Sequence, residues 1–439
     1  MKEDWVEYTI EESCEIHDNL RKPINSKERK ERISGKKSEE LYPYYGATGQ
    51  VGFIDDYLTD GDFVLVGEDA APFLDYSKDV AYKISGKTWV NNHAHILKSK
   101  LNDDFLLHYL NNFNFNGYVS GTTRLKLTQG KLKQIPILLP PLVEQKAIVN
   151  KIEELFSSLD SGIADLKKAQ DQLKIYRQAV LKKAFEGELT DTKISNGALP
   201  INWNWASIFD FLFDNKKGMA TGPFGTALKK HEHKQEGVPV LGIENIGEGK
   251  FKMPNKIFVT PEKSIELKSF KVLENDIIIS RSGTVGEICS IPKQMENSLI
   301  STNLIRVRLD LEKVLPKFFV YLFQGGNVRE QVKELCKGST RIFLNQTILK
   351  KLKLPLCSID EQKEVIKEIE SRLSVCDAVE QNIADSLEKA QALRQSILKK
   401  AFEGKLLSEE EIAACKQHPD YESASVLLEK IKAEKTKKK

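Results

Sequence analysis

At roughly 100–200 residues per domain, a chain of 439 residues predicts about two to four domains. Its 40% hydrophobic and 29% charged residues, with a mean hydropathy of −0.38, exclude a wholly disordered chain, and no apolar run approaches the ~20 residues of a membrane helix, which argues against a spanning protein. A net charge of +3, from 66 Lys+Arg against 63 Asp+Glu, lacks the strong basic excess of many nucleic-acid binders, so the placement of charge matters more than its sum.

The first segment, 1–140, opens with mixed charge and no apolar signal core, which predicts a protein that is not secreted. A dense basic run follows (Arg21, Lys22, Lys27, Arg29, Lys30, Arg32, Lys36 and Lys37) with few apolar residues, and predicts an exposed loop. Val- and Ile-rich runs predict strands over 62–66 and 95–98, and a helix is expected over 104–112. From 141 to 190 the pattern changes. Ile148, Ile152, Leu155, Leu159, Leu166, Leu173 and Val180 recur at spacings of three, four or seven, the stripe of one long helix. No proline interrupts it between Pro141 and Pro200, and Gly187 follows a Lys-Lys pair suited to a helix C-terminus.

The segment 191–357 again mixes strands (238–242, 276–280, 288–291, 304–309) with helices (316–323, 328–337). The strands of both globular segments lie too close together for regular βαβ units, so an α+β fold is expected. A second stripe, Val365, Ile369, Leu373, Cys376, Ile383, Leu387, Ala390 and Ile397, runs through 358–405 and ends before Gly404. The charged tail, 406–439, has Val426, Leu427 and Ile431 at the spacing of a short amphipathic helix for the rod or a partner, then lysines expected to fray.

The two long stripes belong to a duplication. Leu181-Lys-Lys-Ala-Phe-Glu-Gly187 recurs letter for letter as Leu398-Lys-Lys-Ala-Phe-Glu-Gly404, an offset of 217. At the same offset Glu144-Gln145-Lys146 becomes Glu361-Gln362-Lys363, and Gly121-Thr-Thr-Arg124 becomes Gly338-Ser-Thr-Arg341. That period is the size of a domain plus a connector and too long for a solenoid repeat. Each helix of ~40 residues spans ~60 Å, and a solitary helix would leave its stripe in water. Antiparallel pairing of the two copies as a coiled coil, with pseudo-twofold symmetry, covers both; the alternative is that each helix caps its own domain.

Catalytic motifs are missing. Gly86-Lys-Thr88 has Ala81 where a phosphate-binding loop needs its first glycine, and no GxSxG, HExxH or [DN]PP[YF] occurs. His93/His95 and His231/His233 form His-x-His pairs without an evident third ligand, so solvated or hydrogen-bonded histidines are expected. Gly46-Ala-Thr-Gly49-Gln-Val-Gly52 is glycine-rich but lacks the GxGxxG pattern. The six cysteines (Cys14, Cys289, Cys336, Cys357, Cys376, Cys415) include no Cys-x-x-Cys, which predicts reduced thiols in a cytoplasm. Two heads, a spacer and no catalytic motif suggest a binder.

Pro140-Pro-Leu-Val-Glu-Gln145 before a long helix that ends in Arg177-Gln-Ala-Val-Leu-Lys-Lys-Ala-Phe-Glu-Gly187, repeated half a chain later, resembles the specificity subunit of type I restriction–modification systems. Pro43-Tyr-Tyr-Gly-Ala-Thr-Gly49 with Gly67-Glu-Asp69, and Gly222-Pro-Phe-Gly-Thr-Ala-Leu228 with Asp276-Ile-Ile-Ile-Ser-Arg-Ser-Gly283, fit as well. One departure is Leu354-Pro-Leu-Cys-Ser-Ile-Asp-Glu361, which replaces the Pro-Pro approach to the first helix. The resemblance implies target-recognition domains at 1–140 and 191–357, each for one half of an asymmetric bipartite DNA site, with spacer helices at 141–190 and 358–405. It implies that catalysis lies with two modification subunits, which use S-adenosylmethionine to methylate adenine at N6, and two restriction subunits, which use ATP and Mg. This chain would then hold no cofactor and no metal, and act in the cytoplasm away from any membrane.

Half-sites on one face of DNA lie about one turn, 34–36 Å, apart, which predicts an unread gap of about 5–8 base pairs. Phosphate contacts favour Lys, Arg, small hydroxyls and exposed N–H groups. Thr122, Thr123 and Arg124, and Ser339, Thr340 and Arg341, offer these at matched places. Arg21, Lys22, Arg29, Lys30, Lys36 and Lys37 are candidates in the first head, and Thr226, Lys229 and Lys230 in the second. Tyr44, Tyr45 and Phe224 could pack against sugar or a flipped-out region, but aromatic residues are more often core, and Arg281, at a strand end, could reach a base edge. The rival expectation is a tandem coiled-coil scaffold that binds two proteins and no DNA.

Overall fold

The computed structural model describes residues 4–189, 199–224, 227–336 and 343–437. The chain divides into two compact units, one of Met1–Lys167 with Ala384–Lys439 and one of Lys168–Ile383. No helix among the described residues is long and apolar enough to cross a membrane.

The first unit carries strands β1 (Val6–Thr9), β2 (Cys14–Ile16), β3 (Tyr42–Gly46), β4 (Gly49–Ile54), β5 (Phe63–Gly67), β6 (Ala81–Ile84), β7 (Trp89–Val90), β8 (Ala94–Ser99), β9 (Val119–Ser120), β10 (Lys126–Leu127) and β11 (Pro136–Leu139). Its head helices are α1 (Ile10–Ser13), α2 (Ser26–Ile33), α3 (Asp103–Asn112) and α4 (Gln129–Lys133). An antiparallel sheet runs β2-β8-β5-β6, and a second runs β4-β3-β7, with β3 antiparallel to β4 and parallel to β7. β5 is central and buried, which is why Phe63-Val-Leu-Val66 reads as an unbroken apolar run rather than an alternating one. The Asn102 side chain caps α3 by accepting from Phe105 N at 2.9 Å, and Asp103 and Asp104 suit the positive end of the dipole.

The second unit repeats this plan. Its strands are β12 (Asn204–Ala206), β13 (Met219–Thr221), β14 (Val238–Leu241), β15 (Ile246–Gly247), β16 (Lys250–Phe251), β17 (Ile257–Val259), β18 (Ile277–Ser280), β19 (Ile288–Ser290), β20 (Leu299–Ile300), β21 (Leu304–Val307) and β22 (Leu354–Leu356). The sheet β13-β21-β18-β19 mirrors β2-β8-β5-β6, and β17-β14-β20 keeps the antiparallel and parallel pairings of β4-β3-β7. β12 pairs with β22 as β1 pairs with β11. Head helices α6 (Pro261–Glu266), α7 (Pro316–Gln324), α8 (Gly326–Leu335) and α9 (Gln346–Leu349) complete it. The strands and helices expected within the heads lie within two residues of their predicted bounds.

The long helices are α5 (Leu142–Phe185) and α10 (Ile359–Phe402), 44 residues each, or about 66 Å at 1.5 Å per residue. Their repeated Glu-Gln pairs anchor each start to its head. Trp5 Nε1 donates to Glu144 at 3.0 Å, and Trp203 Nε1 donates to Glu361 at 2.7 Å. Buried Gln145 accepts from Asn102 N and donates to Pro140 O; buried Gln362 accepts from Leu315 N and donates to Cys357 O. The loss of the Pro-Pro approach therefore leaves the second anchor unchanged.

Each helix ends in a left-handed glycine, with Gly187 at φ +80° and Gly404 at φ +69°. Backbone bonds from Glu188 N to Lys183 O and from Lys405 N to Lys400 O close the same cap. The phenylalanine of each repeat is a plug. Phe402 meets Phe105 and Tyr109 in the first unit, and Phe185 meets Phe318 in the second.

Within each unit α5 and α10 run antiparallel. In the first, Ile148, Ile152 and Phe156 share an apolar cluster with Ile397, Leu398 and Phe402, and Asp160 pairs with Arg394 at 2.8 Å. In the second, Leu181, Ala184 and Phe185 share one with Val365 and Ile369, and Arg177 pairs with Asp377 at 2.6 Å. The two ion pairs are copies at the 217-residue offset. Every predicted stripe position, including Leu155, Leu159, Leu166, Leu173, Leu373, Ile383 and Leu387, is buried or half-buried.

One expectation needs correction. The basic run is not a loop: Ser26–Ile33 is helix α2, capped by Asn25, whose side chain accepts from Lys27 N and Glu28 N. The tail, expected on the rod or a partner, packs against the first head and reaches the rod, where Lys151 pairs with Glu411 at 3.5 Å. Its helices α11 (Glu409–Gln417) and α12 (Ala424–Lys437) lie against the first head, where Tyr8 donates to Ala424 O at 2.9 Å, Lys416 pairs with Asp4 at 2.7 Å and Ile431 joins the core. The side chains of the last lysines lie outside the described residues.

Candidate nucleic-acid interface

In both heads the chain leaving the central strand makes a corner that is stitched to the segment holding the repeated Gly-[Ser/Thr]-Thr-Arg sequence. In the first head Leu127 N donates to Glu68 O at 2.7 Å; in the second Leu344 N donates to Arg281 O at 2.9 Å. Leu127 and Leu344 are equivalent under the 217-residue offset. The frame of the corner is therefore shared, while the residue it presents changes from an acid to a base.

The first corner rests on a buried charge network. Arg21 pairs with Asp18 at 3.0 Å, donates to the Glu68 carboxylate and reaches Ala94 O at 3.1 Å. Buried His95 places Nδ1 2.7 Å from Asp18 and Nε2 2.9 Å from Leu127 O. Burial alone would raise Asp18, but the hydrogen bond and charge of His95 and the charge of Arg21 outweigh it and hold the carboxyl below its ordinary range. Glu68 is lowered in the same way: burial opposes, and the Arg21 hydrogen bond with the His95 and Arg21 charges wins. Asp18, Glu68 and His95 bring three ligand atoms within 4.8 Å of one another, but the Arg21 guanidinium already supplies their cation. His93, outside β8, has Nδ1 3.5 Å from Asp69, so the two rings of that His-x-His pair serve different carboxylates.

Above this network stands the β9–β10 hairpin. Arg124 pairs with Asp69 at 3.0 Å and Lys126 with Glu68 at 3.2 Å. Gly121 sits at φ +103°, where a Cβ would lie 2.3 Å from Arg124 O, so the tip requires glycine. Thr122, Thr123 and Arg124 are exposed there.

Among the described residues the second corner has no such network. Arg281 lies between two exposed aromatic rings, with its guanidinium 5.6 Å from the Phe224 centroid and 5.8 Å from that of Phe343. Among the described residues no carboxylate forms an ion pair with it. The approach of Phe224 is set by backbone: Gly222 N donates to Leu304 O at 3.1 Å, Thr302 Oγ1 donates to Pro223 O at 2.5 Å, and a Cβ on Gly222 would fall 1.9 Å from Ser301 O.

A profile of the type I restriction modification DNA specificity domain matches residues 2–169 and 222–389. The chain belongs to this family of specificity subunits. Among curated relatives, the type I restriction enzyme EcoBI specificity subunit of Escherichia coli is 28% identical over 358 residues, covering 77% of this chain and 73% of that one. A putative specificity subunit of Haemophilus influenzae, S.HindORF215P, is 28% identical over 394 residues, covering 87% and 91%. Among solved structures, a chain from a study of complex assembly and conformational transition of the type I R-M system aligns with a TM-score of 0.66 at 17% identity, covering 92% of this chain and 99% of that one. The HsdS subunit from Thermoanaerobacter tengcongensis aligns at 0.55 and 18%, covering 92% and 98%. The relatives are named as specificity subunits, and this specificity subunit is likewise a DNA-recognition component without catalytic function.

Several of its basic residues already have partners within the chain. Arg21 is committed to Asp18 and Glu68, and Lys36 pairs with Asp55 at 2.9 Å. Arg29 stacks 4.7 Å over Tyr44, and Arg32 joins Asp55 and stacks 5.0 Å over Trp89. Lys22, Lys30 and Lys37 are exposed, as are Lys229 and Lys230 in the second head. The glycine-rich Gly46–Gly52 stretch is the β3–β4 hairpin. Thr226, Ser339, Thr340 and Arg341 lie outside the described residues. Sequence reasoning missed Phe343 and the charges beneath Glu68; the signal for Phe343 was its equivalence to Lys126 under the repeat.

Proposed function

We propose that the specificity subunit reads a split DNA target, one half with the head of 1–140 and the other with the head of 191–357. The spacer helices of 141–190 and 358–405 set the unread interval, taken as about 5–8 base pairs from the pitch of B-DNA. The observation that carries this reading is the pair of corners: one frame, repeated by duplication, holds Glu68 with Lys126 in one head and Arg281 with two phenylalanines in the other. Such a pair suits an asymmetric target. Phosphate contact is assigned to Lys22, Lys30, Lys37, Thr122, Thr123 and Arg124 in the first head, and to Lys229 and Lys230 in the second.

Two modification and two restriction subunits would join this chain. Matched exposed apolar positions on the long helices support a doubled partner: Tyr176 is 46% exposed and Leu393, its equivalent at the 217-residue offset, 50%. S-adenosylmethionine, ATP and Mg belong to those partners, which methylate adenine at N6 and cleave DNA, and the complex works in the cytoplasm. Base-resolution mapping of methyladenine in cells with and without this chain tests the reading. A split motif with a constant gap, lost on deletion, is expected; an unchanged methylation pattern contradicts it.

A further inference from the structure

We propose that Arg281 is the guanine-reading residue of the second head, aimed at a base edge in the major groove. The inference rests on the split-target reading above and names the chemistry of one of its contacts.

A base reader must hold its fork still, since each immobilised rotamer costs binding energy. Arg281 is held along its whole length. Its N–H donates to Asn303 O at 2.9 Å, and its carbonyl accepts from Leu344 N at 2.9 Å. Its side chain lies between Phe224, 61% exposed, and Phe343, 40% exposed, with Nη1 directed to Thr302 O at 3.4 Å. Phe224 is itself fixed by the Gly222-Pro223 strap. Two aromatic faces beside a planar guanidinium, with Nη1 turned to Thr302 O, leave the Nε and Nη2 edge as its free polar surface.

An arginine quenched by a carboxylate would be a structural residue, as Arg21 is in the first head, and Arg281 has no such pair among the described residues. A phosphate contact needs only a point charge on a flexible stem, which the exposed Lys229 and Lys230 of the same head provide. A fixed planar fork with paired donors instead matches the O6 and N7 acceptors of guanine. The first head carries Glu68 at the equivalent corner, so its half-site is read by other means, and the two halves of the target differ in chemistry.

The test uses the full chain assembled with its modification subunits. The target is first defined by methyladenine mapping, then challenged with duplexes that change one base pair at a time, at fixed salt. Arg281→Ala is expected to lower discrimination at a single G·C pair of the second half-site by roughly 10- to 100-fold, with the first half-site read as before. Arg281→Lys keeps the charge and loses the fork, so it shows the same loss at the same pair while the salt dependence of binding is retained. Lysine at this position also serves if the alanine variant fails to assemble, because the intact first half-site reports a folded subunit. Discrimination unchanged at every pair in both variants overturns the assignment. So does a uniform weakening across all sequences, the mark of a phosphate contact. If the unaltered subunit directs no split motif at all, the functional reading fails and this proposal with it; a split motif that ignores Arg281 sinks the proposal alone.

Discussion

Small buried contacts at single residues decide how each head is mounted. Gln145 satisfies one backbone donor and one backbone acceptor, so Gln145→Ala strands both and is expected to cost about 1–3 kcal/mol, read as a lowered unfolding midpoint in denaturant. Gln362→Ala should do the same for the second unit, while an exposed change such as Lys363→Ala should not. The acid limb of stability belongs to Asp18 and Glu68. Both carboxyls titrate lower when folded than when unfolded, so their contribution is full above the ordinary carboxylate range, about pH 4, and is lost as pH falls through the depressed values. Melting temperature followed downward from pH 6 should fall more steeply for the native chain than for Glu68→Gln. The Glu-Gln pairs were visible in the sequence as repeated letters, but their role was not, because their partners lie far along the chain. The partners of Arg21 were hidden for a related reason: a basic run shows charge, and only the fold shows that Asp18 and Glu68 lie opposite.

Whole elements were more legible. The long helices announce themselves through stripes of unbroken period, absent prolines and terminal glycines, and their pairing follows from the need to cover two stripes at once. The basic run hid helix α2 because Ile24 and Ile33 are its only nearby apolar residues, and its support comes from cations stacked on Tyr44 and Trp89. The repeated Lys-Lys-Ala-Phe-Glu-Gly is now explained as a plug followed by a cap. Removing a plug creates a cavity in one unit. Phe402→Ala should destabilise the first unit and Phe185→Ala the second, each by about 3–5 kcal/mol, with hydrogen exchange locating the loss in α3 or α7 respectively. The docked tail predicts that truncation after Lys405 exposes apolar surface on the first head and lowers its stability, measurable by thermal melting.

For the whole molecule, duplication supplies the logic. One supersecondary plan is used twice, the helix anchors, plugs, caps and ion pairs are kept, and the exposed corner is varied. The duplication and the fold class could be taken from the letters because repeated packing demands repeated residues. The recognition surface could not, since each corner joins Glu68 or Arg281 to residues dozens of positions away. What the duplication implies for function is a set interval between two half-sites. Inserting four residues, about one helical turn, into α5 and at the facing position of α10 is the most direct test, read by base-resolution methyladenine mapping. Unchanged half-sites separated by a changed, still constant gap are predicted; mutants that keep the parental gap would contradict the account.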